Sequence, residues 1–242
     1  MSFKLWYRAG RSGDVVPILK AEGIILRRIK YSETSLIVTL YTKEYGKVSL
    51  IAKGARNPKS KFVGSLEPAT YVSVVYYHKE SRDLQMLSEV DPMRSNSSII
   101  SSIRKVAVAF AILNLIDSVV SESESNENLF ALLNDSLRAL NDSDYDLLIL
   151  WYFEISLLRQ IGFEINIDNP EGIGKENRLK GPALKLFEKI KDVDLNEMNA
   201  EQFTRGTFKK MNRFFEKYFE YHIEGMKQTK ALSFVNELVN KN

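Results

Sequence analysis

The sequence predicts an α+β chain of two domains, a five-stranded β-barrel followed by an all-α helical domain. Three observations carry that expectation. From Ile18 to about Pro92, β-branched and aromatic residues recur in short runs broken by turn signals, and after Pro92 the apolar period becomes helical. The charge divides at nearly the same place: residues 1–66 hold 13 Lys/Arg against 4 Asp/Glu, and residues 67–242 hold 21 against 27. Finally, 242 residues exceed the roughly 100–150 of a common single domain, so two modest domains fit the length.

Residues 1–17 match neither texture. Gly10-Arg11-Ser12-Gly13 is linker-like, so this stretch is expected to be a flexible extension or an expression remnant with no part in function. Residues 18–92 form the predicted barrel. Glu22–Leu26, Leu36–Tyr41, Val48–Ala52, Tyr71–Tyr77 and Leu84–Leu87 read as its strands, with turns at Glu44-Tyr45-Gly46 and at Lys79–Asp83.

Residues 93–242 form the predicted helical domain. Ile99, Ile103, Val106, Phe110 and Leu113 step by three and four, which predicts one face of a long helix capped within Ser95–Ser98. Leu129, Leu133, Leu137 and Leu140 mark a second helix. A third opens at Ser143 or Asp144, passes Trp151 and stops at Gly162. Asn166–Lys180, with Pro170, Gly172 and Gly174, reads as a loop. Pro182 suits the first turn of a short helix over Leu184–Ile190, a longer helix is expected over Ala200–Glu224 before Gly225, and Thr229–Val239 is the last.

Composition excludes several chemistries. With no cysteine there is no disulfide, cysteine nucleophile, iron–sulfur cluster or thiolate zinc site, which fits a reducing cytosol. The longest apolar run, Val106–Ile116, is about half a bilayer span, and Lys4 and Arg8 precede no signal-peptide core, so a cytoplasmic protein is expected. Gly174-Lys175 resembles the end of a phosphate-binding loop, but Asn169 stands where the first glycine belongs and Glu176 replaces the magnesium-binding hydroxyl. Asp192–Asn196 opens like a calcium loop, yet Glu197 and Phe203 fill the positions of its glycine and bidentate glutamate. His78 and His222 lie in different domains without a second histidine at ligand spacing, so no metal site is expected. Glu122, Glu124 and Glu127 read as a solvated acidic loop. No catalytic constellation emerges, and a non-enzyme is expected.

What the first domain does carry is a dense cationic series interleaved with aromatics. Arg27, Arg28 and Lys30 leave the first strand, Lys43 and Lys47 bracket a turn, and Lys53, Arg56, Lys59 and Lys61 lie in one loop without an acid. Such a loop repels itself unless an anion neutralises it, which points to phosphates. Tyr31, Tyr41 and Phe62 are candidates for flat faces under unstacked bases, Tyr31 and Phe62 foremost; that Tyr41 packs in the barrel and Phe62 anchors a loop is the simpler alternative. A small barrel with this face suits an OB-fold holding nucleic acid without reading its sequence. The second domain, net acidic, reads as a protein-docking platform; Phe208, Phe215, Tyr218, Phe219 and His222 are a candidate groove lining, with core packing as the simpler alternative.

Several segments resemble the bacterial RecO recombination-mediator family. They are Lys20–Arg27, Tyr31–Leu40, Gly46-Lys47-Val48 and, most specifically, Ala52–Phe62, followed by Leu66-Glu67-Pro68, Leu158–Phe163, Tyr221-His222 and Leu232-Ser233-Phe234. The resemblance implies an N-terminal OB-fold with a helical C-terminal domain. It also implies a DNA repair role: binding single- and double-stranded DNA, annealing complementary strands, and helping load RecA onto strands covered by single-strand-binding protein. The implied partners are RecR and the acidic C-terminal tail of single-strand-binding protein, with RecA engaged indirectly and the protein at the nucleoid during repair. Many family members carry a four-cysteine zinc module after the Gly-Phe that corresponds to Gly162-Phe163; here the loop has no cysteine, so no zinc is expected. An RNA-binding OB-fold accessory protein and an adaptor that binds no DNA are the alternatives.

Overall fold

The computed structural model describes residues 6–9, 15–122, 124–197, 203–223, 233–235 and 237–238. They fall into two compact units, one of residues 1–96 with 120–130 and one of residues 97–119 with 131–242. The boundary expected after residue 92 lies four residues later, and Val120–Phe130, expected with the helices, belongs to the barrel unit.

The barrel unit is a six-stranded sheet of β1 (Trp6–Ala9), β2 (Val15–Lys30), β3 (Leu36–Thr42), β4 (Gly46–Ala52), β5 (Tyr71–Tyr77) and β6 (Leu84–Pro92). Its order is β1-β2-β3-β4-β6-β5, and β5 returns to β2, so β2 to β6 close an OB-like barrel. The sixteen-residue β2 serves two neighbours. Ile18–Ile24 pair with β5, and Gly23–Lys30 pair with β3 across a bulge between Ile25 and Arg27. The inward residues alternate, as the strand period demands, and Ile25, Val38, Leu40, Leu50, Val72 and Val74 form the core. The flexible extension expected over residues 1–17 needs correction. Trp6–Ala9 pair antiparallel with Val15–Ile18, because Trp, Tyr and Val favour a pleated surface; residues 1–5 and 10–14 lie outside the described residues.

The helical unit contains α1 (Ser97–Ser101), α2 (Ile103–Val119), α3 (Glu127–Asp142, its first turn counted with the barrel), α4 (Asp146–Gln160), α5 (Pro182–Lys191) and α6 (Arg205–His222). The predicted first helix is broken at Ser102, whose Oγ accepts from the Lys105 N–H at 3.4 Å and starts α2. Its predicted apolar face holds in part: Ile99 and Leu113 are buried, but Ile103 is 59% and Phe110 41% exposed, while Ala107, Ala111, Ile112, Leu115 and Ile116 fill the core side. The leucine stripe of α3 is borne out, with Leu129, Leu133, Leu137 and Leu140 all buried. Gly162, at φ +86°, ends α4, and the Phe163 N–H reaches the Leu158 carbonyl at 2.8 Å. Thr204 caps α6, accepting from Thr207 N–H at 3.2 Å. The predicted stop at Gly225 lies outside the described residues, and of Thr229–Val239 only 233–235 and 237–238 are described, as helix. Among the described residues no helix is long and apolar enough to cross a membrane.

Candidate nucleic-acid interface

Strand register decides which of the basic residues meet. β3 runs from Leu36 to Thr42, and Leu36 pairs with both Lys30 and Ala52. That places Lys30, the hairpin tip at Tyr31 and the start of the loop at Lys53 at one end of the barrel. Thr42 pairs with Gly46 at the other end, about 20 Å away for seven strand residues.

At the Leu36 end the basic loop docks on the β2–β3 hairpin. The Arg56 guanidinium donates to the Ser32 carbonyl at 2.6 Å, and the Arg56 N–H donates to the Thr34 carbonyl at 2.9 Å. Arg28, Lys30, Lys53, Arg56, Lys59 and Lys61 are all exposed here, and Arg27 is exposed midway along β3, opposite Thr39. Arg28 and Lys61 are tethered as Arg56 is: Arg28 pairs with Glu67 at 2.6 Å, and Lys61 Nζ reaches the Ser88 carbonyl at 2.5 Å. Tyr31, 59% exposed at the hairpin tip, presents its ring to solvent.

Two of the three stacking candidates are buried, as the simpler alternative has it. Phe62 is 5% exposed and belongs to the barrel core with Leu66, because the loop after β4 must close the open end of the barrel with apolar side chains. Lys61 Nζ lies 5.2 Å from the centre of its ring, but no base can stack there. Tyr41 is likewise buried, under the segment Val120–Phe130; its hydroxyl donates to the Asn126 carbonyl at 3.4 Å and its ring lies 6.2 Å from Phe130. Burial raises its pKa.

Lys43 and Lys47 do not join the group. They sit at the Thr42 end beside carboxylates. Lys47 makes a parallel bridge to Glu122, and the two line a cleft of about 320 Å³ with Glu44, Glu80 and Asp83. Glu44 accepts from the Glu22 N–H at 3.1 Å, and Glu22 accepts from the Tyr71 hydroxyl at 2.5 Å. Burial raises the Glu44 pKa, and burial with the Glu22 hydrogen bond pushes Tyr71 up to about 12. At this end Glu44, Glu80, Asp83 and Glu122 offset the charge of Lys47, and Arg82 shares the cleft. The acidic loop, expected to be plain solvated surface, is what brings Glu122 there.

Sequence reasoning missed an apolar row across the outer face. Ile29 pairs with Ile37, Ile37 with Ile51, and Ile51 with Met86, so four aliphatic side chains cross four strands. Ile29 is half exposed and the others are partly so. The only available signal was the isoleucine at the same phase in three consecutive strands.

The loop after Phe163 has no cysteine to offer. Asn166 Oδ1 accepts from the Asp168 and Asn169 N–H groups at 3.2 and 3.3 Å, and Arg178 donates to Asn169 Oδ1 at 3.0 Å. Amides and a guanidinium hold this loop. Nor do Phe208, Phe215, Tyr218 and Phe219 line a groove: all four are buried in the helical core, where Phe187 packs against Phe215.

Comparison with known proteins agrees with this architecture. Residues 17–96 match the family model for the recombination protein O N-terminal region, and residues 100–178 match that for its C-terminal region. The DNA repair protein RecO of Salinibacter ruber is 38% identical over 152 residues, covering 62% of this chain and 58% of the relative. That of Chlorobium limicola is 25% identical over 261 residues, covering 93% of this chain and all of the relative. The Exiguobacterium protein of the same name is 38% identical over 146 residues, 59% of this chain and 57% of its own length. Two consecutive family models over a barrel and the helices that follow it place the chain in the RecO family of DNA repair proteins.

Proposed function

We propose that this chain is a non-catalytic DNA-binding protein of homologous recombination. It holds single- and double-stranded DNA by their phosphates, anneals complementary strands, and assists the loading of RecA onto strands covered by single-strand-binding protein. Its partners in this reading are RecR and the acidic tail of single-strand-binding protein, and it works in the cytoplasm, at the nucleoid during repair, without zinc.

The observation that carries the reading is the docking of the Lys53–Lys61 loop on the β2–β3 hairpin through Arg56 and Ser32. It gathers Arg28, Lys30, Lys53, Lys59 and Lys61 toward one end of the barrel, with Arg27 farther along β2 opposite Thr39. Each phosphate they neutralise releases counterions, so the affinity is independent of base sequence and steep in salt. Two strands bound to such a surface repel each other less, which favours annealing. Lys43 and Lys47 contribute through the general field, being removed from the contact end.

The test is fluorescence anisotropy of a labelled single-stranded oligonucleotide across a salt series. The parent is compared with the triple variant Lys30→Glu, Lys53→Glu, Lys59→Glu, whose side chains are exposed. The expected parent slope is about 0.7 log units in affinity per decade of salt for each phosphate contacted. The variant should lose about three such contacts while keeping its thermal melt. A parent that ignores the oligonucleotide at low salt would end the DNA-binding reading.

A further inference from the structure

Residues 67–242 are net acidic only on average. Residues 174–191 and 205–222 together hold 11 Lys/Arg against 4 Asp/Glu, and the rest of residues 67–242 holds 10 against 23. The first two stretches are the end of the loop before α5, α5 itself, and α6. They are joined in space: the Arg213 Nε donates to Asn177 Oδ1 at 2.7 Å, and the Phe187 ring of α5 lies 6.2 Å from Phe214 of α6.

On α6 the cations form a row. Arg205, Lys209, Arg213 and Lys217 recur every fourth residue, about 6 Å apart along the axis, and Lys210 flanks them. Lys175 lies two residues from Asn177, the partner of Arg213. Lys217 shares its charge with Glu220 at 2.6 Å, whereas Lys175, Lys209 and Lys210 are exposed and make no ion pair with another described residue.

We propose that this face of α6 is a second nucleic-acid surface, which contacts the phosphates of a strand independently of the barrel. The proposal rests on the DNA-binding reading above and extends it to a second strand. The kind of partner follows from what the face lacks. Every large apolar side chain of α6 up to Phe219 is buried: Phe208, Met211, Phe214, Phe215, Tyr218 and Phe219. A protein interface needs an apolar or aromatic anchor at its centre, and a membrane-lying helix needs an apolar face. Phosphate neutralisation needs only cationic heads held at intervals on a rigid element, and α6 supplies that. Most of this face lies after residue 178, where the match to the family's C-terminal model ends.

A protein with one phosphate-binding surface on each unit can hold two strands at once. That is the requirement for annealing by capture, in which each strand is neutralised on its own surface before pairing.

The full chain is tested as the triple variant Lys175→Glu, Lys209→Glu, Lys210→Glu, with the milder Lys→Gln triple as a folding-safe companion. Binding of a labelled single-stranded oligonucleotide is followed across a salt series, and annealing of two complementary oligonucleotides is followed by fluorescence transfer. The expected result is one oligonucleotide bound per chain at low salt where the parent binds two, with the barrel's own salt slope unchanged. Annealing should slow at least tenfold, with the barrel's own binding retained. The Gln triple should lose the same second binding event. An unchanged stoichiometry and annealing rate in a parent that does bind DNA would overturn this proposal alone. A parent that binds no DNA would overturn both. A variant that loses only its binding to a polyglutamate peptide would assign the face to an acidic protein and likewise overturn the proposal.

Discussion

The guanidinium of Arg56 donates to the backbone carbonyl of Ser32 at 2.6 Å, across 24 residues of chain. Ser32 in turn accepts the Ser35 N–H on its Oγ at 3.2 Å, so the hairpin tip is already ordered where Arg56 arrives. Arg56 is therefore a positioning group for the other loop cations as well as a charge. Arg56→Ala should weaken DNA binding several-fold more than Lys59→Ala, although each removes one positive charge. Its melt should change little, since an exposed hydrogen bond contributes about 1 kcal/mol. Equal losses in the two variants, measured by anisotropy at one salt concentration, would reduce Arg56 to an ordinary phosphate contact.

The two aromatics at this end divide their tasks. Phe62→Ala empties a barrel-core position and should cost about 3–5 kcal/mol of stability, read as a fall in urea midpoint. Tyr31→Ala should leave that midpoint in place and weaken single-strand binding by about 1–3 kcal/mol, the usual worth of a base stack. A Tyr31 variant with parental affinity would leave the row of Ile29, Ile37 and Ile51 as the apolar surface for bases.

Much of this could be read in the sequence, for identifiable reasons. Leu129, Leu133, Leu137 and Leu140 had a polar opposite face, so period and burial agreed. Gly162 followed an unbroken helical pattern and could only end it. In α2 both faces are apolar, so periodicity groups Ile103 with Phe110 without saying which group packs inward; tertiary contacts chose Ala107, Ile112 and Leu115. The basic site suffered from the same gap. Lys43, Lys47 and Lys53 are near in sequence, but which end of the barrel each occupies depends on the pairing of Leu36 with Ala52 and of Thr42 with Gly46. The second basic face was hidden by averaging charge over the whole helical domain.

Gly46 has φ +65°, and a Cβ there would run into the backbone of Glu124. Gly64 has φ +75° with nothing near the same position. Both substitutions to Ala incur the left-handed strain of about 1–2 kcal/mol, but only Gly46→Ala must also displace the segment that covers Tyr41. Gly46→Ala should thus be the more destabilising of the two. Amide exchange at residues 124–130 should quicken in it and not in Gly64→Ala. Equal melts and equal exchange would mean that the segment holds to the barrel through Phe130 alone.

Glu154 sits in α4, fully buried, with no hydrogen-bond partner for Oε2, and burial drives its pKa well above the ordinary carboxylate range. The folded state therefore keeps a proton that the unfolded chain releases near pH 4.3. With the native state binding more protons, stability is greatest below that pH and falls as pH rises toward the folded-state pKa, by up to about 1.4 kcal/mol per unit. Glu154→Gln keeps the shape and removes the titration. It should raise the urea midpoint at pH 7.5, do little at pH 4, and flatten the pH profile between them. A parent and variant whose profiles run parallel from pH 4 to 7.5 would show that Glu154 ionises in the folded protein, and that water or a cation reaches it inside the helical unit.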